Sequence, residues 1–416
     1  VAPSLKSRLA RIRDSRGAEG VQASPTSRDG DIASTGLSTR RVPARRPTPA
    51  FLRGWRRLDD FLWARTLKYD IDLVADVTPE TFAPLRRRRL SGAESPGARR
   101  SPEGRVPTEG LRFFDLETTG LSGGTGTVAF LAAVGRSRGG AFELEQLFLE
   151  DFPGERAFVL AVLGLLEGGV VASYNGRAFD LPLLRTRGVM NAVPVPRFEE
   201  IDVLFAARRL WKRVYGGASL ELLEREVLGS ERAEDIPGSM VPQVWLDFAR
   251  SGESSLMPLV FAHNAEDVAA LARLLSKVQS IFDSPAESGG RGDVDAAGLG
   301  RSLVAAGRGE EGEAILEAAA EGGDGAVALW LLRRYRIAGR EGDCLRVEPF
   351  LPGGFKAAVE RAKLYEHLVG DYATAMEWAR RAAASASGDA EAEAAAKRAG
   401  RIARKLRKNA RGGGGE

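Results

Sequence analysis

The chain is poor in cysteine and histidine: Cys344 is the one thiol, and His263 and His367 are the two imidazoles. A single cysteine excludes an internal disulfide and a cysteine-built metal cluster; partial burial is the role expected for it. No apolar run reaches transmembrane length, and no apolar export segment follows the first residues. A cytoplasmic protein without membrane contact is therefore expected. Neither charge sign dominates, since 60 Lys and Arg face 56 Asp and Glu, for a formal charge of +4. The total thus argues only weakly for a polyanionic partner. Placement says more: the first fifty residues are rich in Arg and poor in acid, and Arg86 to Arg89 is unbroken. Such segments suit a polyanion, or serve as a solvated tail.

What is present is enough for two or three domains: 416 residues, 44% of them hydrophobic. Residues 1–48 lack apolar periodicity and read as a disordered basic tail. In 49–109 an N-terminal helical segment is expected first, because Phe51, Trp55, Leu58, Phe61 and Leu62 recur at helical spacing. Trp55 and Trp63 are expected to pack. An Arg-rich linker then follows. Residues 110–283 alternate strands and helices. LRFFDLE, GTVAFLAAVG and FELEQLFLE read as an antiparallel meander. ERAFVLAVLGLLEGG reads as a helix closed by glycine, and VVASYN as a buried strand parallel to the first. DLPLLRTRG, with Pro182 in its first turn, is a short helix. FEEIDVLF reads as a short strand and AARRLWKR as a helix. Ser219 can cap SLELLEREVLG. MPLVFAHNAEDVAALARLLSKVQSIF is a long helix or a helix pair. Residues 284–310 read as a flexible linker, 311–384 as helical, and 385–416 as an Ala/Gly-rich basic end. The fold class expected is α/β, a mixed sheet flanked by helices, with an α-helical C-terminal region.

The chemistry rests on acids. Asp115 and Glu117 stand two apart on a strand, so both carboxylates share a face. Asp180 opens a helix after the Asn175–Gly176 turn, where a simple cap is the bland alternative. His263 and Asp267 lie four apart on one helical face. Two acids beside a core are costly unless a cation offsets them. Hard oxygen donors suit Mg²⁺ or Mn²⁺. Two such ions can serve phosphodiester cleavage. His263 can orient the water or accept its proton.

These strings resemble the DEDD superfamily of 3′–5′ exonucleases, which has an RNase H-like fold: FFDLETTGL with Asp115 and Glu117, YNGRAFDLPLL with Asp180, and AHNAEDVAAL with Asp267. More narrowly, the chain resembles the bacterial YprB-like ribonuclease H-like group. That likeness runs through PAFLRGWRRLDDFLWAR, EDIPGSMVPQVWLDFARSG and the tail segment AKLYEHLVGDYATAMEWARRAA. The resemblance implies that Asp115, Glu117, Asp180 and Asp267 hold two divalent ions. It also implies that nucleotides leave from a 3′ end. Asp202 resembles a supporting polar position. Superfamily members with a histidine place it five residues before the last Asp, and members with a tyrosine place that residue four before it. His263 takes the tyrosine's place.

The expected activity is a divalent-metal-dependent 3′–5′ exonuclease acting on single-stranded DNA or RNA. Asp115, Glu117 and His263 are its catalytic residues, and Thr118, Thr119, Tyr174 and Asn175 lie beside the substrate. Tyr174 is a candidate to stack on a terminal base, whereas Phe114 and Phe179 are expected in the core. Two alternatives stand: a catalytically silent nucleic-acid or protein scaffold, and an oligoribonuclease-like enzyme on short nucleotides. In the tail, Gly370, Tyr372, Ala375, Ala379 and Ala382 fit one tetratricopeptide-like hairpin, a surface for a protein partner. His367 is assigned no chemistry.

Overall fold

A computed structural model describes residues 48–84, 104–120, 124–232, 234–252, 254–290 and 292–412. The expectations for the basic tail before residue 48, the Arg86–Arg89 run and the last four residues lie outside these. The strands are β1 (Arg56–Asp59), β2 (Leu62–Tyr69), β3 (Asp76–Val77), β4 (Val106–Pro107), β5 (Leu111–Thr118), β6 (Ala129–Arg138), β7 (Ala141–Leu149), β8 (Val170–Ser173) and β9 (Glu200–Asp202). Seven of them form one mixed sheet in the order β1-β2-β7-β6-β5-β8-β9, and β3 pairs with β4 separately.

The meander β5–β6–β7 is antiparallel. Gly139 and Gly140, with φ of 59° and 80°, make its second turn. Two positive φ values in a two-residue loop match the right-handed twist of the strands. The helix α2 (Glu155–Leu166) carries the chain over to β8, which runs parallel to β5. β9 then adds in parallel beside β8.

The expected helix near 49–73 is instead the antiparallel hairpin β1–β2, laid against β7. Its aromatic spacing mimics a helical stripe. The ladder offered by β7 overrides that local pattern, as pairing and packing commonly do in strands. Trp55 and Trp63 pack as expected, and the Trp63 indole N–H donates to Glu150 at 2.6 Å.

Cores form on both faces of the sheet. Phe114, Phe130, Phe148 and Trp245 belong to one, and Phe113, Phe142, Leu144 and Trp211 to the other. The helices of the domain are α1 (Pro79–Phe82), α2, α3 (Asp180–Met190), α4 (Val203–Tyr215), α5 (Leu220–Glu226), α6 (Val241–Ser251) and α7 (Met257–Asp283). Ser219 caps α5 as expected, accepting the Leu222 N–H. The segment around FEEIDVLF is strand only to Asp202, which caps α4 by accepting the Leu204 N–H.

After α7 the chain stays folded. The helices α8 (Pro285–Gly289) and α9 (Ala296–Ala305) occupy the expected linker. Glycine there serves close packing, not freedom: a Cβ on Gly298 would lie 1.9 Å from the Arg209 carbonyl oxygen. The helical region continues as α10 (Gly309–Glu321), α11 (Gly325–Ile337), α12 (Glu341–Val347), α13 (Phe355–Leu364), α14 (Tyr372–Ala384) and α15 (Asp389–Gly412). The basic end expected from 385 is thus largely helix. Cys344 is fully buried, and His367 pairs with its neighbour Glu366. No described helix is long and apolar enough to cross a membrane.

Candidate metal centre

β5 delivers the first two carboxylates. Phe114 and Leu116 face one core and Phe113 the other, so Asp115 and Glu117 continue the Phe113 face. The ladder to β6 slips between Glu117 and Thr118, ending the strand. Thr118 donates its hydroxyl to the Gly120 carbonyl at 2.7 Å, and Thr119 Oγ accepts the Val128 N–H at 3.0 Å. Both threonines fasten the strand's end.

The third carboxylate comes from the turn after β8. Asn175 is left-handed at φ 67° and donates its N–H to Asp202 Oδ1 at 2.9 Å. A Cβ on Gly176 would sit 2.6 Å from Ser173 Oγ and 2.9 Å from Asp180 Oδ2. Glycine is what lets this turn close over Asp180. α3 is anchored from behind by the buried Arg187–Glu155 pair, and Arg187 also donates to the Thr125 carbonyl at 2.7 Å.

α7 supplies His263, Asn264 and Asp267. His263 Nε2 lies 4.0 Å from Glu117 Oε1 and 3.6 Å from Asp267 Oδ2. Those three residues form a group whose ligand atoms are close enough to share one metal ion. Asp115 is held by Asn264, whose side-chain N–H₂ donates to Asp115 Oδ2 at 2.8 Å. Gln146 in turn donates to Asn264 Oδ1 at 2.9 Å, and Arg65 donates to Gln146 Oε1 at 2.7 Å.

Electrostatics tie the acids into one site. Burial pushes Asp115 well above the ordinary carboxylate range, and the charges of Asp267, Asp180 and Glu117 push it further. Burial likewise raises Glu117, aided by Asp267, Asp180 and Asp235. Asp180 is pushed up to about 7, by burial first and then by the charges of Asp202 and Asp267. Such mutual repulsion needs short separations in a poorly screened setting. The group that can share one ion is Glu117, His263 and Asp267; Asp115 and Asp180 lie outside it, and the charge of Asp180 reaches Asp115 and Glu117.

Arg232 is the cation already there. It donates to Asp267 Oδ1 at 2.6 Å and to Asp235 Oδ2 at 3.0 Å, and pairs with Glu224 at 2.7 Å. Asp235 also meets His263 Nδ1 at 2.7 Å. Burial would lower the His263 pKa, but the Asp235 hydrogen bond and the Asp267 charge outweigh it and raise it.

Two aromatic expectations are corrected. Phe179 is 50% exposed beside Asp180, not core. Helix α3 starts directly after it, which leaves its ring outside the packed face. Tyr174 instead packs on the core and donates its hydroxyl to the Ala218 carbonyl at 2.7 Å. A ring so anchored is a poor platform for a base. Phe114 is fully buried, as expected.

The sequence reading missed Asn264, Gln146, Arg232 and Asp235. Asn264 carried a signal. It falls on the apolar face of α7 with Phe261, Ala265 and Val268, all buried, and a polar residue there demands a partner. Arg232 and Asp235 lie in an irregular segment with no periodicity to flag them.

Residues 112–279 match the RNase_H_2 family model of the RNase_H superfamily. The Bacillus subtilis (strain 168) protein YprB is 36% identical over 184 residues, which is 42% of this chain and 45% of that protein. The chain thus spans less than half of that relative's length. A family B DNA polymerase from the hyperthermophilic archaeon Pyrobaculum calidifontis superposes with a TM-score of 0.35 at 18% identity, over 49% of this chain and 30% of that one. The chain therefore contains a domain of RNase H-like fold related to Bacillus YprB, with a clustered acid and histidine site of the kind a nuclease could use.

Proposed function

We propose that the domain is a 3′–5′ exonuclease of the DEDD type, using Mg²⁺ or Mn²⁺ to hydrolyse phosphodiester bonds of single-stranded nucleic acid to 5′-monophosphates. One observation carries the reading: Glu117 from β5 and Asp267 from α7 gather around His263 Nε2 at 4.0 and 3.6 Å, half-buried, with Asp115 and the buried Asp180 close enough to feel their charges. The donor set fits hard divalent cations, because three of its acids are raised by burial and repulsion that a cation would relieve. Asp115, Glu117, Asp180 and Asp267 would hold the ions. When bound, two divalent ions supply positive charge at the scissile phosphate and its leaving oxygen.

The chain's own groups do the rest. Asn264 fixes the rotamer of Asp115. Water attacks phosphorus and gives its proton to His263 Nε2, while the bond from phosphorus to the 3′-oxygen breaks and that oxygen takes a proton from solvent. Asp235 holds the ring for this transfer. Exposed Phe179, next to Asp180, is available to a terminal base. A single strand avoids the fraying cost of a few kcal/mol that a duplex end imposes. For the helical region we propose a tetratricopeptide-like hairpin at α13–α14, a surface for a protein partner. It is supported by the burial of Ala375, Ala379 and Ala382 and by the left-handed Gly370.

One observation favours a second reading, a silent scaffold on this fold: Arg232 already neutralises Asp267. Digestion decides. Linear end-labelled DNA and RNA should shorten from the 3′ end with Mn²⁺, and a circle of matched sequence should survive. Efficient cutting of the circle would overturn the exonuclease reading. Binding without metal-dependent turnover would establish the scaffold.

A further inference from the structure

Between Glu393 and Glu416 the sequence holds eight Lys and Arg and no acid. Most of this stretch is in α15, whose apolar side is already occupied. Ala395 packs with Ala358 and Ala382, and Ile402 with Ala362, Ala375 and Ala379. Arg398, Arg401 and Lys405 converge on buried Glu366 at 2.9, 2.7 and 3.1 Å. These three cations hold α15 in place.

The opposite side of the helix is different. Lys397, Arg404 and Lys408 are spaced seven and four apart, so they share one stripe facing away from Ile402. Arg407 flanks it. All four are exposed. Lys397 has only Glu393 of its own helix, at 2.7 Å, a weak exposed pair. Arg404, Arg407 and Lys408 make no ion pair with a described residue; Arg407 only touches the Ala403 carbonyl. Cations favour a helix C-terminus through the backbone dipole, but that effect fades within the last turn. It leaves Lys397 and Arg404 unexplained.

We infer that this stripe of α15 is a docking surface for the phosphate backbone of a nucleic acid, an inference that rests on the nuclease reading of the domain. The candidate centre is itself crowded with carboxylates, so before cations bind it repels a polyanion. A second, predominantly cationic face supplies the grip that the centre cannot. A lipid surface fits less well, because a helix that inserts needs an exposed apolar face, and the apolar face of α15 is covered by α13 and α14.

The test uses the full chain in EDTA, with anisotropy of a labelled single strand across a salt series. The triple variant Arg404→Gln, Arg407→Gln, Lys408→Gln is expected to lose about tenfold in affinity at low salt, and its salt slope to shrink by about 2, since each neutralised phosphate contributes about 0.7. Arg404→Lys with Arg407→Lys should keep the slope. An unchanged slope in the triple variant, an equal loss in the lysine variant, or tighter binding to phosphatidylglycerol–phosphatidylcholine vesicles than to the strand would each overturn the proposal. No hydrolysis occurs in EDTA, so the two readings separate. A chain inert with Mn²⁺ but sensitive at the stripe loses the nuclease reading alone. An active chain with an unchanged slope loses the stripe alone.

Discussion

Asp235 and His263 meet at 2.7 Å, and that contact sets which way the imidazole works. An ionised carboxylate only accepts, so Nδ1 carries the proton. Arg232 also lies 3.3 Å from Nδ1, but a guanidinium only donates and cannot pair with a protonated nitrogen. Nε2 is then left as the lone-pair nitrogen facing Glu117 and Asp267. Asp235 is thus a positioning residue acting through His263.

Asp235→Asn should lower kcat by roughly 10- to 100-fold, the usual size of an outer-shell loss at a metal site, with KM little changed. The pH profile gives the sharper readout. Asp235 helps raise the His263 pKa, so its neutralisation lets the imidazole lose its proton at lower pH. The acid limb of kcat should move down in pH. A limb that stays in place while kcat falls would show that Asp235 only supports the fold.

The raised carboxylates make metal-free stability depend on pH. Asp115, Glu117 and Asp180 bind protons more tightly folded than unfolded. Their stabilising contribution is full below the unfolded carboxylate range of about 4. It is lost as pH rises, through about 7 for Asp180. In EDTA the melting temperature should therefore fall between about pH 5 and pH 8. Mn²⁺ should flatten that slope, and Asp115→Ala should weaken the Mn²⁺ effect. Thermal melts across this range check both. A metal-free chain equally stable at both ends would refute the mutual repulsion of the acids.

Gly298→Ala separates a docked α9 from a loose linker by the sign of its effect. In a free helix or linker, alanine for glycine is worth up to about 1 kcal/mol of added stability. Here the new Cβ would collide with the Arg209 carbonyl oxygen, and overpacking of this kind typically costs about 1–3 kcal/mol. Chemical denaturation should show net destabilisation.

Most elements from β5 to α7 were legible because period-two and period-3.6 patterns change cleanly there, and because Ser219 and Pro182 punctuate them; helix α6 was not read. The acids of the centre were legible through spacing: Asp115 with Glu117 on one strand face, His263 with Asp267 on one helix face. What escaped was tertiary. Nothing local marks Leu62–Tyr69 as the partner of β7. Gly298 reads as flexibility until Arg209 is placed beside it. Arg232 and Asp235 acquire meaning only once their segment meets α7.

The hairpin β1–β2 has a consequence for where this folding unit begins. β2 pairs with β7 along its whole length, from Leu62 opposite Leu149 to Tyr69 opposite Phe142. A fragment starting at residue 110 would keep every acid of the centre and still be incomplete. β7 would become a long bare edge carrying Leu144, Leu147 and Phe148, the kind of open ladder that recruits strands from other molecules. The N-terminal hairpin therefore acts as a guard against self-association. It also holds Arg65, the first link of the hydrogen-bond chain through Gln146 and Asn264 to Asp115, so removing it would expose the β7 edge and unfasten a central carboxylate together.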